Sequence, residues 1–271
     1  MTDEWTQFKE RTKAAWSLGD YARVARLLEP VAEEIVDLCG VGPGMEILDV
    51  AAGTGNVAVA AARKGASVVA SDLTPAMIEL GKQRSASEGV SITWTEADAE
   101  DLPFENDSFD AVISVFGAIF APHADRATRQ MFRVAREGGV VGMAAWTPNS
   151  WSGNLFSLMA KFAPPPPPGT DPPALWGDPE VVRQRFEGFA ERVDFKIGAV
   201  AFDFPSIEDA NDFFDGTGAL VAARQALPPE TYEELKGELL AMCRRFNRAK
   251  DPRVLISNEY LLVVARKAGS G

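Results

Sequence analysis

The stretch that decides the fold class is residues 45–56, MEILDVAAGTGN, an apolar run that ends at a glycine-containing turn. Residues 45–51 are short and almost continuously apolar, which is typical of a strand buried on both faces of a parallel sheet. Gly53 and Gly55 lack a Cβ, so the backbone can turn sharply there and a ligand can approach it closely. The alanine-rich segment 56–64 predicts a helix directly after the turn. Strand, glycine turn and helix in this order indicate a nucleotide-binding type of α/β unit.

Strands and helices continue to alternate around this unit. Residues 3–39 predict two helices, with Asp20 as N-cap of the second, and Thr74 with Pro75 predicts the start of another. We expect further strands at 67–71, 91–96, 109–116 and 140–146, with a helix at 126–136 before the last of them. Such alternation predicts a parallel sheet with right-handed crossovers and helices on both faces.

The pattern changes after residue 146. A helix is expected at 148–162, and the proline-rich run 163–173 favours a stiff connection, because proline excludes helix and central strand there. Asp178 and Pro179 predict the start of the next helix, and Ser206 with Asp209 resembles a capping box. The remaining elements are expected to be a strand at 192–204, helices at about 207–225 and 229–248, and a final strand at 254–267.

Charge and composition narrow the classes of function. The 271 residues carry 27 Lys and Arg against 39 Asp and Glu, a formal net charge of −12. A negative surface repels phosphate backbones and anionic lipid, so we expect no nucleic-acid partner and no membrane partner. The acidic N-terminus lacks the apolar region of a signal peptide, which predicts a cytoplasmic protein. Cys39 and Cys243 are isolated from any ligand pattern, so neither a disulfide framework nor a metal site is predicted.

Asp49 distinguishes between the ligands that a glycine turn can bind. Residues 53–58 fit the G-x-G-x-x-G/A fingerprint of dinucleotide sites, which is a weak signal when taken alone. Asp49 lies just before the turn, where a carboxylate would repel a pyrophosphate but favour a cationic amine or sulfonium. The turn is therefore expected to bind a cationic ligand.

Acidic residues also follow the second and third predicted strands. Asp72 ends the second strand, where an acid accepts hydrogen bonds from both ribose hydroxyls of an adenosine-containing ligand. Leu73 and Met77 follow it and are expected to cover a face of the adenine. Asp98 follows the third strand and can accept the adenine amino group, while the backbone of Ala99 supplies a second contact. These positions predict an adenosine-containing ligand.

Four motifs occur in order across roughly residues 45–146: ILDVAAGTGN, SDLTPAM, DAEDLPFENDSFDAVISVFG and REGGVV. With them the chain resembles the class I S-adenosylmethionine-dependent methyltransferases, in particular the ubiquinone/menaquinone-biosynthesis-like methyltransferases of small molecules. The resemblance implies a Rossmann-like α/β fold: a seven-stranded sheet of order 3-2-1-4-5-7-6, an antiparallel last strand, helices on both faces and a helical insertion after strand 5. It also implies S-adenosylmethionine as cofactor, S-adenosylhomocysteine as product and a small-molecule substrate.

The resemblance implies roles for individual residues as well. It places the glycine-turn residues near the methionine portion of the cofactor, Asp72 on the ribose, and Asp98 with Ala99 on the adenine. Tyr21 matches an N-terminal position that often closes over the cofactor. Independently of the resemblance, residues 114–117, which begin with Ser114, end the fourth strand, where cofactor and substrate should meet by the general rule for open α/β sheets. The expected cofactor contacts are thus Tyr21, Asp49, Gly53, Thr54, Gly55, Asp72, Leu73, Met77, Asp98, Ala99 and Ser114.

Two departures from the family pattern concern the turn before the fifth strand and the second half of the chain. Glu137 stands where the family usually has proline, a change that the turn can accommodate, and no substrate-defining motif appears after residue 147. We expect three segments: N-terminal helices that act as a lid (1–40), a cofactor-binding core (41–147), and a helical insertion with substrate-facing elements and the closing strands of the same domain (148–271).

Methyl transfer is an in-line displacement at a carbon activated by sulfonium, so the protein mainly has to position the nucleophile. A general base is needed only if the acceptor must lose a proton. His123, the only histidine, follows the fourth predicted strand near the expected cleft mouth and is the candidate base. The alternative is a solvent-exposed loop histidine that caps the next helix.

Other polar and aromatic residues also have two interpretations each. Glu100 and Asp101 form either an acidic cleft wall or a solvated turn. Five aromatic residues of the second half belong either to a substrate pocket or to the core: Trp146, Trp151, Phe156, Phe162 and Trp176. Near the N-terminus, three more either form a mobile lid or dock the helices: Trp5, Phe8 and Trp16.

Two other functions fit the same architecture. An NAD-dependent oxidoreductase is disfavoured by Asp49 and by the lack of an evident Tyr/Lys or His/Asp pair for hydride transfer. A protein that binds S-adenosylmethionine for chemistry other than methylation would carry the same binding motifs, so the sequence leaves it open. The sequence likewise leaves open whether the chain is a monomer or a homodimer, and whether the acceptor atom is oxygen, nitrogen or carbon.

Overall fold

A seven-stranded sheet runs through the computed structural model, which describes residues 3–269. In chain order its strands are β1 (Glu46–Val50), β2 (Ser67–Asp72), β3 (Thr93–Glu96), β4 (Phe109–Val115), β5 (Ala135–Trp146), β6 (Ala190–Phe204) and β7 (Val254–Lys267). They lie side by side in the order β3-β2-β1-β4-β5-β7-β6, and β7 is antiparallel to both of its neighbours. The sheet order and the antiparallel last strand that the resemblance implies are confirmed.

Helices cover both faces of this sheet. Those before β5 are α1 (Asp3–Trp16), α2 (Tyr21–Leu38), α3 (Asn56–Arg63), α4 (Pro75–Ser87) and α5 (Ala124–Val134). Those after it are α6 (Trp151–Phe162), α7 (Pro179–Phe186), α8 (Ile207–Asp215), α9 (Gly218–Ala226) and α10 (Pro229–Phe246). Short 3-10 helices occupy Ala118–Phe120 and Pro173–Gly177. Helix α2 buries one face, which includes Val31, Ile35 and Val36, because its apolar residues recur at helical spacing.

Strand β5 begins earlier than its sequence predicts. The sequence predicts a helix through residue 136 and a strand from residue 140, whereas β5 starts at Ala135. Ala135 pairs with Phe109, and the register then shifts before Val140 pairs further along β4. The additional residues are absorbed near Gly138, whose φ of +66° is readily adopted only by glycine.

The helix predicted at 207–225 is two helices, α8 and α9, which are divided at Gly216 and Thr217. Thr217 is extended, with φ −75° and ψ 151°, and occupies the N-cap of α9. A Cβ on Gly218 would come within 2.6 Å of the Ala15 carbonyl oxygen, so α9 packs closely against α1. The division brings the insertion into contact with the N-terminal helix, a tertiary constraint that local helix propensity does not reveal.

Two of the predicted helix caps form and two do not. The Asp178 carboxylate accepts hydrogen bonds from backbone N–H groups of the first turn of α7. Ser206 Oγ accepts a hydrogen bond from the backbone N–H of Asp209, 3.1 Å away, which confirms the N-cap half of the capping box, and the Asp209 carboxylate accepts from the Ser206 hydroxyl at 2.7 Å. Asp20 and Thr74 occupy N-cap positions, but their side chains make no capping hydrogen bond.

Strands β6 and β7 complete the sheet that β1–β5 begin, so the second half of the chain contributes to the same core. The division into segments 1–40, 41–147 and 148–271 stays a prediction, and its ends at 1–2 and 270–271 lie outside the described residues. Cys39 and Cys243 are buried and carry free thiols. Across residues 3–269, no helix has the length and apolar character needed to cross a membrane.

Candidate functional site

A large cavity of about 770 Å³, including its open mouth, lies at the carboxyl ends of β1, β2, β3 and β4. This is the edge where open parallel α/β sheets generally bind ligands. Helix α1 and Tyr21 cover the cavity from the N-terminal side. Among its lining residues are seven that the sequence predicts: Tyr21, Gly53, Asp72, Leu73, Met77, Asp98 and Ala99.

Asp72 is held in place by the backbone around it. One carboxylate oxygen accepts the backbone N–H of Gly53 and the other accepts that of Thr74, both at 2.8 Å. The residue is only 8% exposed, and its burial raises the pKa of the carboxyl although these hydrogen bonds oppose the shift. The geometry therefore fixes a hydrogen-bond acceptor on the cavity wall, with Leu73 and Met77 beside it.

Asp98 lies two residues beyond the end of β3, the strand that pairs with β2, whose last residue is Asp72. Its Oδ1 accepts the backbone N–H of Glu100 at 2.9 Å, and its Oδ2 lies 2.6 Å from Nζ of Lys9 on α1. Ala99 lines the cavity next to it. The two acids thus stand on adjacent strand ends along one wall.

Asp49 and Thr54 border a second, smaller cavity of about 290 Å³ rather than the large one. Asp49 is 2% exposed, and its Oδ2 accepts the backbone N–H of Ala58 at 3.0 Å. Burial raises the pKa of Asp49, the Ala58 hydrogen bond opposes this shift and the nearby Asp72 adds to it, with a net pKa of about 8. A cation placed here would favour the ionised carboxylate, in keeping with the sequence prediction.

Tyr21 lies between the two cavities and borders both. Burial raises the pKa of its phenol well above the ordinary range, with further contributions from Asp72 and Asp49, so the hydroxyl stays protonated. The ring rests on the glycine turn: a Cβ on Gly53 would come within 2.9 Å of Tyr21 Cε1. Gly53, with φ +57°, therefore permits both the turn and this close contact.

Gly55 serves packing rather than ligand approach. It has φ +82° and lies outside the lining of both cavities. A Cβ at this position would come within 2.8 Å of Trp94 Cη2. The sequence correctly predicts that glycine is required here, but the group that approaches it closely is the Trp94 ring.

Ser114 requires a correction, because its side chain reaches neither cavity. The residue is 0% exposed; its Oγ donates to the Val50 carbonyl at 2.7 Å and accepts the backbone N–H of Ala118 at 2.9 Å. The hydroxyl joins the ends of β1 and β4 to the following 3-10 helix. The residues after β4 that do line the large cavity are Phe116 and Gly117.

Phe116 and Phe120 also line the large cavity; Phe116 lies in the segment 114–117 where the sequence predicts that cofactor and substrate meet, whereas the sequence does not single out Phe120. Phe116 has φ +54°, a conformation that is costly for a bulky residue, and stacks on Trp146 with ring centroids 3.9 Å apart. Phe120 contacts Trp16 of α1, with centroids 5.1 Å apart. The signal that could have found Phe120 is its position shortly after β4, in the connection at the sheet edge where ligands bind.

The aromatic residues of the second half lie behind the cavity instead of lining it. Trp151 and Trp176 are buried in the core, and Trp146 supports Phe116 from below. Phe156 touches Phe120 at a centroid distance of 5.5 Å, and Phe162 packs against the core. The core interpretation is therefore the correct one for this group.

The N-terminal aromatic residues lie over the large cavity, a position that fits both a mobile lid and a docked helix, so the lid stays a prediction. Phe8 and Trp16 line it, while Trp5 stacks on His123 with ring centroids 4.2 Å apart. We call helix α1 the lid from here on. Its apolar residues form the wall opposite the loop that carries Phe116 and Phe120.

His123 stands beside the large cavity without lining it. Its Nδ1 lies 3.1 Å from both carboxylate oxygens of Glu100, and its backbone N–H donates to Glu100 Oε1 at 2.6 Å. It occupies the N-cap of α5, but its side chain makes no capping hydrogen bond. Glu100 is buried, so the solvated-turn interpretation does not apply to it. The imidazole belongs to a charged network under the lid.

Known proteins resemble this chain in sequence and in structure. A family model described as a methyltransferase domain matches residues 47–139. An uncharacterized protein of Mycobacterium bovis is 35% identical over 257 residues, which cover 93% of this chain and 92% of that protein. The ubiquinone/menaquinone biosynthesis C-methyltransferase UbiE of Zymomonas mobilis is 34% identical over 143 residues, 52% of this chain and 54% of the relative.

A solved structure shares the fold at low sequence identity. It is a phosphoethanolamine N-methyltransferase of Haemonchus contortus, in complex with phosphomonomethylethanolamine and S-adenosylhomocysteine. Its TM-score is 0.55 and its identity 17%, and the match covers 88% of this chain and 52% of that one.

Proposed function

Because this chain belongs to the class I S-adenosylmethionine-dependent methyltransferase family, we propose that its large cavity binds S-adenosylmethionine and presents the methyl group to a small, apolar acceptor. The observation that carries the proposal is the row of acids at successive strand ends. Asp72 and Asp98 line the large cavity after β2 and β3, and Asp49 is buried beside it at the end of β1.

The acids match the polar groups of the cofactor one by one. Asp72, fixed by two backbone N–H groups, suits the two ribose hydroxyls, which are hydrogen-bond donors. Asp98 suits the adenine amino group, with the Ala99 backbone next to it. Asp49, Thr54 and Tyr21 around the small cavity would receive the methionine end, whose cationic amine and sulfur favour the ionised form of a buried carboxylate.

The acceptor is expected between the lid and the loop after β4. The wall there is formed by Phe8 and Trp16 on one side and by Phe116 and Phe120 on the other. Aromatic walls of this kind favour a flat or apolar molecule that is held by stacking and burial. A phosphate backbone does not suit such a wall or a chain with a net charge of −12.

The main contribution of this site to catalysis is to position the acceptor against the methyl group. An enclosed cavity that aligns the nucleophile with the sulfonium methyl group supplies orientation, which is the main requirement of an in-line displacement. Five titratable side chains of the described residues line the large cavity. Asp72 and Asp98 are the proposed cofactor contacts, Lys9 and Lys13 are paired with acids, and Tyr21 stays protonated. No side chain of the cavity wall is therefore proposed as a base. His123, which lies beside the cavity against Glu100, stays the candidate base for an acceptor that must lose a proton.

One relative supports the choice of a small molecule. Its name assigns it to ubiquinone and menaquinone biosynthesis, and residues 47–139 of this chain match the methyltransferase domain. The NAD-dependent alternative is disfavoured on physical grounds, because ionised Asp49 would repel a pyrophosphate, whereas a cationic ligand favours the ionised form of this carboxyl. Cytoplasmic location and the choice between monomer and homodimer remain predictions.

Calorimetric titration with S-adenosylmethionine, S-adenosylhomocysteine and NAD tests the proposal. We expect the first two to bind and Asp72→Ala to weaken both at least tenfold, since a charged hydrogen-bonding group is worth roughly 1.5–3 kcal/mol. Asp37→Ala is the matched control, because Asp37 is an exposed acid on α2 that pairs with Lys64. Binding of NAD alone would overturn the proposal, and so would equal binding by both variants. Thermal unfolding of each variant checks that it is folded.

Methyl transfer itself is tested by mass spectrometry. The protein is incubated with S-adenosylmethionine and a panel of apolar phenols, thiols and amines, and S-adenosylhomocysteine is quantified against the methylated product. We expect the two to form in equal amounts with at least one apolar acceptor. Turnover restricted to phosphorylated or highly charged acceptors would contradict the proposed acceptor class.

A further inference from the structure

Lys9 is a buried lysine of the lid that touches two acids of the core. Its Nζ lies 2.6 Å from Asp98 Oδ2 and 2.7 Å from Glu100 Oε2, across 89 and 91 residues of sequence. Burial works to lower the pKa of Lys9, but the hydrogen bonds with Asp98 and Glu100 outweigh it and raise the pKa. The ammonium group is therefore charged whenever the lid is docked.

The two carboxylates that hold Lys9 differ in their surroundings. The Glu100 side chain is 3% exposed, and its Oε1 accepts the backbone N–H of His123 at 2.6 Å while His123 Nδ1 lies 3.1 Å away. Trp5 of the lid covers the His123 ring. Glu100 is thus fully engaged with protein groups and serves as an anchor for Lys9.

Asp98 by contrast keeps an open side. Its side chain is 22% exposed and lines the large cavity. An ionised carboxylate has about four acceptor positions, and the described contacts are those from Lys9 and from the backbone N–H of Glu100. Acceptor capacity therefore remains for a donor that enters the cavity, and the contact with Lys9 fixes the orientation of the carboxylate toward it.

We propose that Lys9 is a positioning residue that couples recognition of the adenine amino group to closure of the lid. The inference rests on the proposed function, since it takes the large cavity as the cofactor site. Lys9 connects Asp98 to the lid, so a donor that binds at Asp98 stabilises the docked lid. Because such coupling is reciprocal, the docked lid in turn stabilises binding of that donor. The lid carries Phe8 and Trp16, which form one side of the acceptor wall. Occupation of the adenine end of the cavity therefore favours the docked lid and completes this wall.

The test compares Lys9→Met with Arg11→Met. Methionine keeps much of the length of lysine and removes the charge. Arg11 is an exposed residue of the same helix outside the lining of the cavity, so its substitution removes one positive charge without touching the network. Both variants are first compared with the parent chain by thermal unfolding.

The readout is the ratio of the affinities for S-adenosylhomocysteine and for its analogue in which inosine replaces adenosine, measured by calorimetry. The analogue lacks the amino group that Asp98 would accept. We expect the parent chain and Arg11→Met to prefer the adenosine form at least about tenfold, the effect of a hydrogen bond to a charged acceptor. In Lys9→Met we expect that preference to shrink severalfold. A merely structural role of Lys9 would weaken both ligands equally and leave the ratio unchanged.

Asp98→Asn, which keeps Lys9, tests the proposal if Lys9→Met is unstable, and a double-mutant cycle of the two substitutions measures their coupling if it is stable. We expect Asp98→Asn alone to lose the preference for the adenosine form, and the second substitution to change the ratio no further. Hydrogen exchange should show that S-adenosylhomocysteine protects α1 in the parent chain and protects it less in Lys9→Met. An unchanged ratio or tighter binding by Lys9→Met overturns the coupling. Absence of S-adenosylhomocysteine binding in the parent chain overturns the proposed function instead.

Discussion

Replacing Asp49 by asparagine should change how the free energy of unfolding depends on pH. Burial raises the pKa of Asp49 from 3.8 to about 8, so the folded chain keeps this proton in a pH range where the unfolded chain releases it. Between these values the folded state binds one more proton, and its stability therefore falls as pH rises, by at most about 1.4 kcal/mol per pH unit. Asp49→Asn removes this slope while its amide oxygen can still accept the Ala58 N–H.

Urea unfolding followed by circular dichroism at several values between about pH 5 and about pH 8 measures the effect. We expect the stability of Asp49→Asn relative to the parent chain to increase steadily with pH and to reach several kcal/mol at the upper end. Asp37→Asn is the control: its side chain is 64% exposed, so its profile should run parallel to that of the parent chain. A constant difference between Asp49→Asn and the parent chain would refute the assignment of a buried, protonated carboxyl.

Three further predictions follow from contacts around the site. Binding of S-adenosylmethionine near pH 7 should release a proton from Asp49, because a cation stabilises the carboxylate. Calorimetry in buffers of different ionisation enthalpy measures this proton release, and binding heats that do not depend on the buffer would contradict the prediction. Ser114→Ala should destabilise the fold by about 1–3 kcal/mol, seen as a lower urea midpoint, because the hydroxyl bonds to two backbone groups. The affinity for S-adenosylhomocysteine should stay within about twofold, and a large loss of affinity would identify Ser114 as a ligand contact after all. Gly81→Ala should lower the melting temperature, with a cost of about 1–3 kcal/mol, because its Cβ would come within 2.1 Å of Trp94; an unchanged melting temperature would show that the Trp94 ring can move.

The acids at the strand ends are candidate site residues whose position on the cavity wall can be predicted from the sequence. Asp72 and Asp98 line the large cavity because the carboxyl ends of parallel strands meet at one edge of the sheet, and the pattern of apolar runs locates those ends. The side chain of Ser114 lies outside the cavity for a related reason. It stands at the end of a strand too, but its hydroxyl is used by the neighbouring backbone, and the cavity begins at Phe116.

Contacts between distant parts of the chain set the limit of prediction from sequence. No pattern around Lys9 indicates that its partners lie 89 and 91 residues away at the end of β3. The division of α8 from α9 depends in the same way on the packing of Gly218 against α1. Sheet order was available in advance because it follows from resemblance to a family, whereas these contacts depend on the particular side chains of this chain.

A crystal structure of the protein with S-adenosylhomocysteine tests the central claim most directly. We expect the ligand in the large cavity, with its ribose hydroxyls on Asp72, its adenine amino group on Asp98, its amino-acid end near Asp49, and the lid docked through Lys9. Ligand density elsewhere on the molecule, or in this cavity with the adenine directed away from Asp98, would contradict the account.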